Sequence, residues 1–200
     1  MLYECVLSTF LLSTWACFVF FRRSTLHGGD QVKRGVHKDF FILFYLNGLL
    51  WMALCAKFSP TRCTALLCVH LLRRFFESGV YCYKIFSKMS ALQFICGLIY
   101  YPVLVYHSFF VEEPPIYSMF LLSSAAQAVS HYFLFHKREF TYYTHYFTEI
   151  LIHYSMNREA LNCLWIASFT LINIFNRSAQ TPKTRRISKK CAPDAVPVDK

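Results

Sequence analysis

Apolar runs of roughly one bilayer's width recur along this chain, separated by short basic clusters or helix-breaking turns. Leu2 to Phe21 is the first, and Arg22 and Arg23 follow it at once. No positive charge precedes that run and no clear small-residue cleavage site follows it, so it reads as a spanning helix in preference to a signal peptide. A second span is expected from about Phe40 to Ala56, and a short third from about Cys63 to Leu72. Leu92 to Val111 returns to the turn Glu112, Glu113, Pro114, Pro115, which breaks the helix and carries no lysine or arginine. Ile116 to Phe135, Tyr142 to Met156 and Leu161 to Phe175 complete the set. The fold class predicted is an all-α membrane protein of about seven transmembrane helices.

Charge fixes the orientation of these spans. Arg22, Arg23, Lys33, Arg34 and Lys38 lie in one loop; Arg73, Arg74, Lys84 and Lys88 in a second; His136, Lys137 and Arg138 in a third; and a basic tail closes the chain. Seven crossings put every large basic cluster on one side, which the positive-inside rule makes cytosolic. The tail is therefore expected on the cytosolic face, disordered beyond about Lys190. Three regions follow: 1–62, N-terminal helices with the basic loop; 63–178, the membrane core; and 179–200, the tail.

Composition agrees. The 200 residues are 56% hydrophobic and 18% aromatic, with 16% charged and mean hydropathy +0.34, against about a quarter charged in soluble domains. The net charge of +10 sits in short clusters, which suits anionic headgroups or a phosphorylated cofactor and not a nucleic acid. Nine cysteines, scattered through apolar runs without a Cys-x-x-Cys pair, read as small apolar residues and not as a disulfide or zinc framework. There is no phosphate loop and no G-x-G-x-x-G, so a dinucleotide would have to bind between helices.

The polar residues inside the apolar runs carry the candidate chemistry. Arg73, Arg74 and Glu77 interrupt VHLLRRFFESGVYCYKIF (Val69 to Phe86), and on a helix Arg73 and Glu77 share a face. One reading ends a span there, with both arginines snorkelling to headgroups; the other turns them inward. Gln127 and His131 also share a face, and His145, Glu149 and His153 form an i, i+4, i+8 stripe. That stripe fits a carboxylate held between flanking imidazoles beside an aqueous pocket, or simple hydrogen bonding across the bundle.

VHLLRRFFES, followed by SKMSALQFICGLIYYPVLV (Ser87 to Val105), resembles the core of the steroid 5-alpha-reductase family in its polyprenal (polyprenol) reductase branch. The matching positions are His70, Arg73, Arg74, Phe76 and Glu77, then Gly97, Leu98, Tyr100 and Tyr101. HKDFFILFYLNGLLW from His37, SSAAQAVSHYFLFHKR from Ser123, YTHYFTEILIHYSM from Tyr143 and TPKTRR from Thr181 resemble further family segments in the same order.

The resemblance implies a seven-helix endoplasmic-reticulum reductase that uses NADPH to reduce a carbon–carbon double bond conjugated to a carbonyl. In this branch the substrate is a long isoprenoid, and the product feeds dolichol synthesis for protein N-glycosylation. By matched position, Arg74, Gln127, His131, Lys137, Arg138, His145, Glu149, Lys183 and Arg185 would hold the cofactor. Tyr100, Tyr101 and His70 would meet the substrate carbonyl or line its channel, and Glu149 would join them in catalysis. No metal is called for. The 21 phenylalanines and 13 tyrosines suit an aromatic groove for the isoprenoid tail, and no nucleic-acid partner is expected.

Two family elements are missing. The Arg-x-Pro-x-Gly-x-x-Phe loop is replaced by a near-direct passage from Arg138 to Phe140 and Tyr142, and no His-x-x-Tyr element precedes TPKTRR. Both losses fall on cofactor-handling regions, which keeps open a catalytically degenerate membrane scaffold. A metal-dependent membrane oxygenase using His131, His136, His145 and His153 is the third reading, although such enzymes hold their histidines in tight boxes and the 8 here are spread.

Overall fold

Each predicted apolar run becomes a helix in the computed structural model, which describes residues 2–20, 35–81, 83, 87–136 and 142–178. Among these residues the chain forms seven α-helices: α1 (Leu2–Phe20), α2 (Phe41–Leu54), α3 (Arg62–Val80), α4 (Ala91–Ser108), α5 (Tyr117–Phe135), α6 (Tyr142–Met156) and α7 (Ala160–Ser178). The basic loop after α1, the α5–α6 junction with Lys137 and Arg138, and the tail with Lys183, Arg185 and its expected disorder lie outside the described residues. The stretches Lys38–Lys57 and Ala91–Ser108 are long and apolar enough to cross a membrane.

Helix α3 corrects the expected boundary. It does not stop near Leu72 but runs through Arg73, Arg74 and Glu77 to Val80. Glu77 stands i+4 from Arg73 and i+3 from Arg74, so both charges are matched within the helix and nothing forces the chain out of it. A second feature had no sequence signature. Two-residue strands β1 (Val36–His37) and β2 (Lys88–Met89) pair antiparallel, Val36 opposite Met89 and His37 opposite Lys88. The Lys38 N–H adds a bond of 3.0 Å to the Ser87 carbonyl, so the segment entering α2 is stitched to the segment entering α4.

Helix ends and interruptions are satisfied locally. Thr61 and Ser90 form capping boxes at the starts of α3 and α4. The hydroxyls of Thr61 and Thr64 also donate to the Ser108 carbonyl at 2.7 and 2.9 Å, so the start of α3 closes the end of α4. Pro102 inside α4 lacks an N–H and so frees the carbonyl four residues back, that of Leu98. The Asn47 side-chain amide on α2 takes that carbonyl at 2.7 Å.

Helix α2 packs between α3 and α4, α5 lies along α6, and α1 closes on α7 and α4. Trp15 on α1 donates to the Ser168 hydroxyl of α7 at 3.1 Å. Gly97 permits a close approach in the α2–α4 seam: a Cβ there would stand 2.6 Å from two ring carbons of Phe44.

Candidate functional site

The polar residues of the apolar runs converge between α2, α3, α4, α5, α6 and α7. Arg74 is only 8% exposed. Its Nε and Nη2 donate to the Tyr45 hydroxyl at 3.1 and 2.8 Å, and its Nη1 donates to Glu77 Oε2 at 2.8 Å. Arg73 donates to the other Glu77 oxygen at 2.9 Å and to the Gln127 side-chain carbonyl. The snorkelling reading is therefore corrected: both arginines turn into the bundle, because Glu77, Tyr45 and Gln127 supply the acceptors that headgroups would have supplied.

Gln127 and His131 share the buried face of α5, as their spacing predicted. The Gln127 amide group donates to Glu149 on α6, so this side chain links Arg73 to Glu149. His131 Nδ1 lies 2.7 Å from Glu77 Oε2, and its Nε2 lies 2.6 Å from His145 Nδ1. Arg74 Nη1 also stands 2.8 Å from His131 Nδ1, so that nitrogen can donate to Glu77 or accept from Arg74 but not both, while Nε2 pairs with His145.

The His145, Glu149, His153 stripe is rearranged from its expected form. Glu149 Oε1 does have an imidazole on either side, His153 Nε2 at 3.7 Å and His70 Nε2 at 3.8 Å, but the second comes from α3. His145 faces His131 instead. Behind His153, the Tyr100 hydroxyl sits 3.4 Å from Nδ1 and donates to Asn162 Oδ1 on α7 at 3.1 Å.

A cavity of about 200 Å³ opens in front of this network. Arg74, Tyr100, Tyr101, His145, Glu149 and His153 line it, together with Phe44, Tyr45 and Trp165. Of the predicted site residues within the described chain, His70, Gln127 and His131 stand behind the wall and hold the lining residues. Sequence reasoning missed Tyr45, Asn162 and the Lys38–Tyr83 side of the cavity. A lone tyrosine in FFILFYLNG and a lone asparagine in LNCLWIA were the signals, since each is a polar group within an apolar run. A larger apolar groove, about 520 Å³, lies on the opposite face of α4 against Trp51, Ile99 and Tyr106.

The histidine set of the oxygenase reading does not gather here. His131 and His145 bond each other directly, and His136 turns back on its own helix, its Nδ1 2.7 Å from the Tyr132 carbonyl. Among the described residues the group of metal-type donors within 4.8 Å of one another is His70, Glu149 and His153.

NADPH is tested against the same wall. A carboxylate, an imidazole and the aromatic faces of Tyr101 and Trp165 suit a nicotinamide and its ribose. The cavity's volume is below the roughly 300–1,000 Å³ of small-molecule sites, so it would hold the nicotinamide end, with the remainder of the dinucleotide outside it. Arg74, one of the residues expected to hold the cofactor, is already occupied by Glu77 and Tyr45. Comparison with known proteins finds no matching family model, curated protein or solved structure.

Proposed function

We propose that the chain is a multi-pass endoplasmic-reticulum membrane protein of the steroid 5-alpha-reductase type that reduces the conjugated double bond of a polyprenal with NADPH. The observation that carries the reading is convergence. Arg74, Tyr100, Tyr101, His145 and Glu149, singled out by motif across three helices, line one cavity. On this reading the helices that bring them together span the membrane.

When bound, NADPH would supply a hydride to the carbon beta to the carbonyl, negative charge would build on the carbonyl oxygen, and a proton from solvent would complete the reduction at the alpha carbon. Tyr100 is the hydroxyl on the cavity wall that would donate to that oxygen, exchanging its present bond to Asn162. Glu149, oriented by Gln127, and His145, oriented by His131, would fix the nicotinamide amide and ribose. The Tyr101 ring packs edge-on against those of Tyr45 and Tyr100, each at 5.3 Å between ring centres, and so supports that wall.

The test is NADPH consumption by detergent-purified protein with a polyprenal, with loss of the double bond followed by mass spectrometry. Glu149→Gln and His145→Ala should lower turnover without unfolding the protein; full activity in both would reject the site. The small cavity and the missing loop favour a second reading, a degenerate scaffold of the same fold, which predicts no NADPH binding in a fluorescence titration.

A further inference from the structure

The two half-buried carboxylates of the network are neutralised differently. Glu77 takes both arginines. Among the described residues, the ion-pair partners of Glu149 are two imidazoles, His70 and His153. At 3.8 and 3.7 Å these are beyond hydrogen-bond length. Glu149 keeps 19% side-chain exposure on the cavity wall, and its Oε1 faces the two imidazole nitrogens across gaps that leave room for a bridging ion.

We propose that His70, Glu149 and His153 bind a divalent transition metal ion, with zinc as the preferred occupant. One donor atom from each residue lies within 4.8 Å of the other two, and Glu149 Oε1 stands 3.8 Å from His70 Nε2 and 3.7 Å from His153 Nε2. The two measured separations approach the about 3.3–3.5 Å between ligand atoms around a four-coordinate zinc with bonds of about 2.0–2.1 Å. Two imidazoles and one carboxylate form a common donor set for such an ion, and Glu149 and His153 border the cavity, from which a water would complete the coordination. A second observation is independent of the grouping. His70 is fully buried, and its Nε2 has no hydrogen-bond partner although it points at the other two donors.

The surroundings orient these ligands. Gln127 holds the second oxygen of Glu149. The Tyr100 oxygen can accept the Nδ1 proton of His153 at 3.4 Å, which leaves the Nε2 lone pair for the metal. His70 must likewise carry its proton on Nδ1, so Arg73 gives up a long 3.4 Å contact there and keeps Glu77 and Gln127.

The experiment does not depend on any catalytic activity. Full-length protein in detergent is stripped with a chelator and titrated with Zn²⁺ against a chromophoric chelator, with Fe²⁺ titrated anaerobically in parallel. About one zinc per chain is expected, with affinity at least ~10-fold weaker in Glu149→Gln and His153→Ala and unchanged in His136→Asn. Tighter binding of Fe²⁺ than the metal series allows would keep the site and overturn the choice of zinc. Because a buried variant can unfold, Co²⁺ is added to the unmutated protein as well. Intense visible absorption marks a four-coordinate nitrogen–oxygen site. No stoichiometric uptake, only weak octahedral absorption, or uptake unaffected in folded variants overturns the proposal.

Discussion

Replacing Asn47 tests whether α4 depends on a neighbour for its continuity. Pro102 removes the N–H that would have bonded the Leu98 carbonyl, and the Asn47 amide fills the vacancy at 2.7 Å from α2. Asn47→Leu keeps the approximate volume but leaves that carbonyl without a donor in an apolar setting. The cost of an unsatisfied group of this kind is about 1–3 kcal/mol, with little hydrophobic gain to offset it at a half-buried position. Pro102→Ala restores the helical N–H, so the double variant should recover most of the loss, giving a coupling energy of about 1–2 kcal/mol. Thermal and denaturant unfolding of the four proteins in one detergent, followed by far-UV circular dichroism, measures the cycle. Additive effects, or an Asn47→Leu protein as stable as the parent, would refute the idea that Asn47 acts through the carbonyl released by Pro102.

Other outcomes follow from the same contacts. Gly97→Ala gains up to about 1 kcal/mol of helix propensity but drives a Cβ into the Phe44 ring. Overpacking of about 1–3 kcal/mol should win, and Phe44→Leu in the same chain should relieve it, as read by unfolding midpoints. Glu77→Gln leaves two inward arginines without their shared carboxylate and should destabilise by about 3–5 kcal/mol; a change below 1 kcal/mol would mean that water reaches both guanidinium groups. Burial in the α6–α7 turn raises the Glu159 carboxyl above its ordinary value, so the folded chain binds that proton more tightly than the unfolded chain. Stability should therefore fall as pH rises from about 4.3 through the raised folded value, and Glu159→Gln should flatten that fall in unfolding measurements from pH 4 to 6.

The seven helices were legible because each apolar run ends at charge, proline or a capping residue. The end of α3 was not, because a span boundary and an inward-facing charge cluster look alike along the chain; what separates them is Tyr45 and Gln127, which lie far away in sequence. Spacing put Gln127 and His131 on one face and Glu149 beside imidazoles. It could not say that His145 would choose His131 while His70 crossed from α3, since which helix lies opposite is a packing outcome. The β1–β2 pairing escaped notice because two residues per strand carry no period. Tyr45 and Asn162 were hidden for a related reason: one polar residue in an apolar run shows that a partner exists but not which.

The two inward arginines also constrain the order in which this protein becomes whole. During synthesis Arg73 and Arg74 emerge with Tyr45 already made and Glu77 close behind, but Gln127 lies 54 residues and His131 57 residues further on. Until then α3 has one carboxylate for two guanidinium groups and none of the donors and acceptors of α5 and α6. Nor is it among the described stretches long and apolar enough to cross a membrane. The inward charges are therefore completed only once α5 has been made, and a chain halted before His131 leaves them short of those partners.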